Sequence, residues 1–431
     1  MYNALKENPI IPDSIVAVVG VGASGEAAAR LVRSKGAHVR LLERDPQKVG
    51  QGLLSLASQI GLEIVTGPHT PAHFQDVSLV VLSPGVPYSK MRTLLEAAGS
   101  PPVMAEMELA YRFVNEPILA ITGTSGKTTT VSLAAAMLRE AGKKVFLGGN
   151  IGTPLSEYVL AGKRVDVLAL EVSSFQLMGC DTFRPNVGVL LNISPNHLDQ
   201  HESMREYIDA KFSMFAHQTE GDAAIFSTDL EDEISRHPIA ARKWYFSATD
   251  RFSETRLLGA HNKANIEAAL LASSEFGVTE EQARRAVAVF DPLPNRIELV
   301  GEWNGVAYIN DSKGTTVSAL KMALASMTRP VLLLAGGVFK GGDLQGLSDL
   351  MREKVKSVGL FGASREKFEE AWQGIVPISW SPTMETAIRE LRKKAESGDV
   401  ILLAPATSSF DLYANYNERG ADFRRIANMV R

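Results

Sequence analysis

The chain has 431 residues, and at about 150 residues per domain that length suggests three domains. Lys plus Arg number 45 and Asp plus Glu 49, a formal charge of −4, which gives no sign of the electrostatic footprint of a nucleic-acid binder, a basic domain or stripe. With 45% hydrophobic and 22% charged residues, disorder and low complexity are excluded as the main description.

Residues 1–14 carry no apolar signal-peptide region, and no apolar run approaches the ~20 residues of a membrane span. The expectation is a cytoplasmic protein with no nucleic-acid or membrane partner. Ile15–Val19 is a short β-branched run, followed by the turn Gly20-Val21-Gly22-Ala23-Ser24-Gly25 and a helical stretch to about Lys35. Val39–Leu42, ending at Glu43, and Leu79–Leu82, ending in Ser83-Pro84-Gly85-Val86-Pro87, read as further strands. A Pro/Gly-rich stretch, Ala98–Pro102, then closes the first region. The alternation restarts with the strand Ile118–Thr122, the turn Gly123–Lys127 and the helix Thr128–Ala141. The strands Val167–Glu171 and Val187–Ile193 follow. Cys180, the lone cysteine, can form neither an internal disulfide nor a cysteine-based zinc site. After a break at Phe290–Pro294, Val306–Ile309, Val331–Leu334, Val358–Phe361 and Val400–Leu403 read as strands between helices. Strands alternating with helices predict parallel sheets with crossover helices. The expected fold is α/β in three consecutive domains: Rossmann-like over 1–105, P-loop mononucleotide-binding over 106–294, and Rossmann-like over 295–431.

Two glycine loops carry the first chemistry. Gly20, Gly22 and Gly25 match G-x-G-x-x-G between a strand and a helix, with Glu43 at the end of the next strand. Alone, this loop fits NAD or any other nucleotide or phosphate, because helix N-terminal amides attract any such anion. The second loop, Gly123-Thr124-Ser125-Gly126-Lys127-Thr128-Thr129, is a shortened Walker A loop with Ile121 where the first glycine should stand. Lys127 would reach the β/γ phosphates and Thr128 a Mg²⁺ ion. Glu171, ending an apolar strand, has the Walker B position and offers Mg²⁺ a second oxygen.

The loop Asn196-His197-Leu198-Asp199-Gln200-His201 follows a strand end, where open α/β sheets bind ligands, and His197 could ligate metal. In the next helix Met204, Ile208, Lys211 and Phe215 share one face. Lys211 therefore sits in an apolar stripe, either as a snorkelling stem or as something more specific.

Together these motifs resemble the Mur ligase family from Gly20 to Gly420. The resemblance is carried by Gly123–Thr128, Asn150-Ile151-Gly152, Glu171-Val172-Ser173-Ser174-Phe175-Gln176-Leu177 and Asn196–Asp199. It continues through Leu258–Asn265, Asn295-Arg296, Asn310–Thr315, Ser408–Asp411 and Glu418-Arg419-Gly420. Asn310–Thr315 fits only loosely, with Asp311 and Gly314 departing from the usual Asn-Ser-Lys-Ala-Thr. Glu171–Leu177 resembles the branch that adds D-glutamate.

The resemblance implies an ATP-dependent ligase that joins D-glutamate to UDP-N-acetylmuramoyl-L-alanine through an acyl phosphate, in peptidoglycan precursor synthesis. It replaces the NAD expectation: Gly20, Gly22, Ser24, Gly25, Glu43, Ser83, Pro84, Gly85 and Asn150 would hold the UDP-sugar. Gly123–Thr129, Asn262, Asn265, Arg296 and Asp311 would hold ATP. Lys313, Thr315, Lys340, Ser409 and Tyr416 would hold D-glutamate and the acyl phosphate. Lys127, Glu171, His197 and Lys211 are the implied catalytic set. Thr128, Glu171, His197 and Lys211 would serve two Mg²⁺ sites that Mn²⁺ could also fill, with Lys211 carbamylated by CO₂. A carbamate carries −1 and offers oxygens, whereas an ammonium repels Mg²⁺. A monomer is expected. The rivals are a sister amino acid ligase, a P-loop switch protein and a dehydrogenase.

Overall fold

The computed structural model describes residues 7–86, 88–195, 201 and 203–430. The first sheet holds β1 (Ile15–Val19), β2 (His38–Glu43), β3 (Leu62–Thr66), β4 (Val77–Leu82) and β5 (Val103–Ala105), in the order β3-β2-β1-β4-β5. The second holds β6 (Ile118–Thr122), β7 (Val145–Gly149), β8 (Val167–Glu171), β9 (Val187–Leu190), β10 (Ala223–Ser227) and β11 (Arg242–Phe246), in the order β11-β10-β9-β6-β8-β7. Both are wholly parallel. Their central strands are buried on both faces, as near-continuous apolar runs require.

The third sheet holds β12 (Glu298–Trp303), β13 (Val306–Asn310), β14 (Val331–Gly336), β15 (Val355–Phe361), β16 (Ile378–Ser381) and β17 (Val400–Leu403). Its order is β12-β13-β17-β14-β15-β16, with only the edge strand β12 antiparallel to its neighbour. The strand–helix alternation thus yields the expected α/β architecture.

The chain folds as two compact units. One contains the described residues up to Ser247 with Ala264–Val287, and the other Ala248–Lys263 with residues from Ala288 onward. The first unit holds two sheets because they share a core. Leu31 and Val32 on the helix Ala23–Ser34 belong to the same apolar cluster as Leu155 and Tyr158 on the helix Leu155–Ala161. Arg30 and Glu157 close that contact as an ion pair at 2.6 Å.

One strand is shorter than its sequence suggests. The apolar run predicts Val187–Ile193, but β9 ends at Leu190. There the backbone turns to serve the neighbouring loop: the Leu191 amide donates to Thr122 O at 3.0 Å, and Asn192 O accepts from the Thr124 amide at 3.0 Å.

Candidate active site

In the first unit, both glycine loops lie where a parallel sheet reverses its strand order, the usual place for ligands. After β1, Gly20 has φ +94°, and a Cβ on Gly25 would stand 1.8 Å from Gly20 O. Those two glycines are conformational and steric necessities. Gly22 is different: a Cβ there would meet nothing, and the residue faces a cavity of about 960 Å³. Gly20, Gly22, Ser24, Glu43, Ser83, Pro84, Gly85 and Asn150 all line it, while Gly25 packs behind. Ser83 Oγ donates to Gly20 O at 3.1 Å and ties the two loops together. Glu43 is buried, and its carboxylate accepts from the amides of Val21 (3.2 Å) and Asp45 (3.0 Å). It therefore shapes the loop as well as lining it. Sequence reasoning missed Arg44, Lys48, His69 and Lys90 on the same wall, which no motif flags; Gln176, from the Glu171–Leu177 motif, lines it too.

After β6, Gly123 (φ +150°) and Gly126 (φ +83°) adopt backbone that favours glycine, and the helix Lys127–Glu140 begins. Lys127 Nζ donates to the carbonyls of Gly123 (2.8 Å) and Thr124 (3.1 Å). Thr128 Oγ donates to Glu171 at 2.7 Å, and Asn150 Nδ2 donates to the other carboxylate oxygen at 2.8 Å. Glu171 thus joins the Walker-type loop to the Asn-Ile-Gly turn through its two carboxylate oxygens. Asn192, missed in the sequence, clamps Ser125 through both of its side-chain amide atoms. Asn265 packs its Oδ1 2.5 Å from where a Gly126 Cβ would stand, beside the turn that leads into Thr129. Thr129 itself is buried in the first turn of the helix.

Lys211 is 1% exposed, so its head does not snorkel to water. The Nζ donates to Gly123 O at 3.1 Å and lies 4.4 Å from the Tyr207 ring centroid. Burial, then the neighbouring Lys127 charge, push its pKa well below the ordinary lysine value. Tyr207 also holds the loop directly, with its hydroxyl 2.9 Å from Thr124 Oγ. His197, the implied co-ligand, lies outside the described residues. His201 is described: its Nε2 is 2.9 Å from Ser174 Oγ, and its ring stacks on Phe175 at 5.0 Å. The Ser173–Gln176 stretch forms a capping box on the helix Ser174–Met178, a structural account of half that signature.

The second unit gathers its own set at the carboxyl ends of three adjacent strands, β13, β17 and β14. Lys313 and Thr315 follow β13, Ser409 follows β17, and Lys340 follows β14. Buried Arg419 staples the three loops, donating to Ser312 Oγ (3.0 Å), Ser312 O (2.8 Å), Thr407 O (3.1 Å) and Gly336 O (3.5 Å). The next residue, Gly420, leaves room for Asn295, whose Oδ1 would lie 1.8 Å from a Cβ there. Asp311 is buried and accepts from the Ile297 amide at 3.2 Å. Burial raises its pKa to about 7, against the opposing charges of Arg296 and Arg419. Lys313 Nζ sits 5.5 Å from the Tyr416 ring centroid. Asn262 Nδ2 is turned back to Leu258 O at 2.7 Å.

A hydroxyl and a carboxylate at the head of a P-loop helix, with a side-chain amide on the carboxylate and a buried amine on the loop, suit a hard divalent cation and phosphate oxygens. Among the described residues no cluster of three His, Cys, Asp or Glu forms a metal site, and no helix is long and apolar enough to cross a membrane. The class defined by this loop, its carboxylate strand and the parallel sheets is that of an α/β nucleotide-binding protein.

Three family models match: "Mur ligase MurD-like, N-terminal domain" over 14–101, "Mur ligase middle domain" over 121–251, and "Mur ligase, glutamate ligase domain" over 295–407. The chain belongs to the Mur ligase family. A protein named UDP-N-acetylmuramoylalanine--D-glutamate ligase from Nitratidesulfovibrio vulgaris is 58% identical over 420 residues, covering 97% of each chain. A protein of the same name from Desulfovibrio desulfuricans is 55% identical over 416 residues, covering 96% of each. A solved structure of MurF ligase from Thermotoga maritima in complex with ADP matches with a TM-score of 0.59 at 17% identity, covering 99% of this chain and 97% of that one, which shows the shared fold.

Proposed function

We propose that this protein is an ATP-dependent ligase that joins D-glutamate to UDP-N-acetylmuramoyl-L-alanine through an acyl phosphate, with domains over 1–105, 106–294 and 295–431 acting as a monomer. The observation that carries it is the Thr128–Glu171–Asn150 hydrogen-bond chain and buried Lys211, in a chain 58% identical to a protein named for that reaction.

The chemical logic is that a carboxylate is a poor acyl donor until phosphorylation gives it a leaving group. Bringing that carboxylate to the ATP γ-phosphate joins two anions, so cations must offset the repulsion. Lys127 exchanges its loop carbonyls for phosphate oxygens. The amides of Gly123–Thr129 cradle the phosphates, Asn262 and Asn265 hold adenine, and Arg296 and Asp311 hold ribose and phosphate. Thr128 and Glu171 would hold one Mg²⁺ ion; His197 and Lys211, the latter as a carbamate formed with CO₂, would hold the other. Mg²⁺ (or Mn²⁺) supplies positive charge against the phosphate oxygens when bound there. The cavity around Gly20–Ser24 and Ser83–Gly85 takes the uridine diphosphate, with Asn150 between it and Glu171. Lys313, Thr315, Lys340, Ser409 and Tyr416 hold D-glutamate, whose two carboxylates call for cations and hydroxyl donors. Gln176 and Asn192 are added as positioning residues.

The test is phosphate release from ATP, Mg²⁺ and UDP-N-acetylmuramoyl-L-alanine, with D-glutamate, L-glutamate, meso-diaminopimelate and L-lysine offered separately. Release with D-glutamate alone is expected. Release with another amino acid keeps a ligase but discards this substrate, and no release with any of them discards the ligase.

A further inference from the structure

Lys340 is an unusual cation. Among the described residues its Nζ makes no hydrogen bond and no ion pair; its one charge-related contact is the Phe410 ring, whose centroid lies 5.6 Å away. The backbone leading to it is pinned. Val338 and Ser408 exchange both main-chain hydrogen bonds, at 2.9 and 3.0 Å, and the Phe339 amide donates to Ser364 Oγ at 2.8 Å. Immediately beyond, Gly341 and Gly342 stand at φ +100° and +121°. Lys340 is thus the last residue of a fixed strap before a glycine turn.

Phe410 is the complementary oddity. Its neighbours Ser408 and Ser409 are buried, yet Phe410 is 68% exposed. Water contact over that much apolar surface is unfavourable, so the position calls for another reason. An aromatic face attracts an ammonium through its quadrupole without neutralising it. A carboxylate in its place would hold the lysine but use up the charge. Over a ring, Lys340 keeps its full charge and its N–H donors for an incoming anion. Lys313 also lies over a ring in the same unit, with its Nζ 5.5 Å from the Tyr416 centroid.

We propose that Phe410 is a positioning residue for the amino acid substrate, holding the Lys340 ammonium in place to meet one substrate carboxylate. This rests on the D-glutamate reading above. The ring is exposed, so its replacement leaves the folded core intact.

The experiment compares Phe410→Ala, Phe410→Leu and Phe410→Trp in the full-length chain, measuring kcat and the KM of each of the three substrates. An exposed cation–π contact of about 0.5–1 kcal/mol corresponds to about a two- to fivefold change. Ala and Leu are expected to raise the KM for D-glutamate by that factor and leave the KM values for ATP and the nucleotide sugar unchanged. Trp is expected to match or improve on Phe. A Leu variant as good as the parent would reduce Phe410 to an apolar cover and overturn the proposal. A parallel rise in all three KM values would make the effect structural and overturn it equally. Absence of D-glutamate turnover in the unaltered protein would remove the ligase reading and this inference together, whereas full turnover indifferent to Phe410 removes this inference alone.

Discussion

Lys127 and Lys211, from two different helices, donate to the same oxygen, the carbonyl of Gly123, at 2.8 and 3.1 Å. Two ammoniums sharing one acceptor repel each other, and Lys211 is the more deeply buried. Burial and Lys127 together disfavour its charged form. The neutral amine is the form that reacts with CO₂, so this lowering of the Lys211 pKa favours the proposed carbamate.

Replacing Lys211 by Met should separate stability from activity. Removing a buried amine from an apolar stripe is expected to stabilise the fold by about 1–2 kcal/mol. Ligase activity is expected to fall at least about a hundredfold. Thermal denaturation and phosphate release read the two effects. Carbon-13 NMR in labelled bicarbonate should show a carbamate resonance in the parent and none in the variant. A variant that keeps a tenth of the activity, or a parent without the resonance, argues against the assignment.

Glu171→Gln tests the carboxylate between Thr128 and Asn150. Glutamine keeps the shape and can still accept from Thr128, while the Asn150 amide turns over to accept in its place. Stability should hardly move. What disappears is the negative charge, so the Mg²⁺ concentration for half-maximal activity should rise and kcat should fall by about a hundredfold or more. A titration with Mg²⁺ that superimposes on the parent would remove Glu171 from the metal site.

Much of this was legible because it is local. Each glycine turn lies directly between a strand and a helix, so the P-loop, Glu171 and the Gly20 loop could be placed by spacing alone. Lys211 was visible as a charge out of place on an apolar face. Asn192 and Tyr207 were hidden, and Arg419 was visible only as part of a motif and without its role, because their partners are remote: Asn192 serves Ser125, Tyr207 serves Thr124, and Arg419 serves Ser312. The two departures from the usual motif, Asp311 and Gly314, explain each other only in three dimensions. A Cβ at position 314 would lie 2.3 Å from Asp311 Oδ2, so glycine makes room for the carboxylate.

Arg419→Lys should cost more than its conservative appearance suggests. One ammonium cannot reach the loops after β13, β17 and β14 at once, as the planar guanidinium does. Leaving buried carbonyls without donors is expected to destabilise the second unit by at least about 2 kcal/mol. The D-glutamate KM should rise with it, because Lys313, Lys340 and Ser409 lose their common tie. A chemical-denaturation midpoint unchanged from the parent would contradict the staple.

Asp311 gives the protein a pH signature. Its pKa is raised to about 7 by burial, above the ordinary carboxylate value of 3.8. Between those values the folded state holds a proton that the unfolded state has released. Folded stability from this group is therefore complete below about pH 4 and is lost as pH rises through about 7, by at most about 4 kcal/mol for a shift of this size. Asp311→Asn cannot ionise, so its stability should fall less than the parent's between pH 4 and 7, the two profiles converging toward acid. Denaturation midpoints at half-unit intervals across that range read the difference directly. Parallel profiles would mean that Asp311 is ionised in the folded protein, held by Arg296 and Arg419 rather than neutralised by burial.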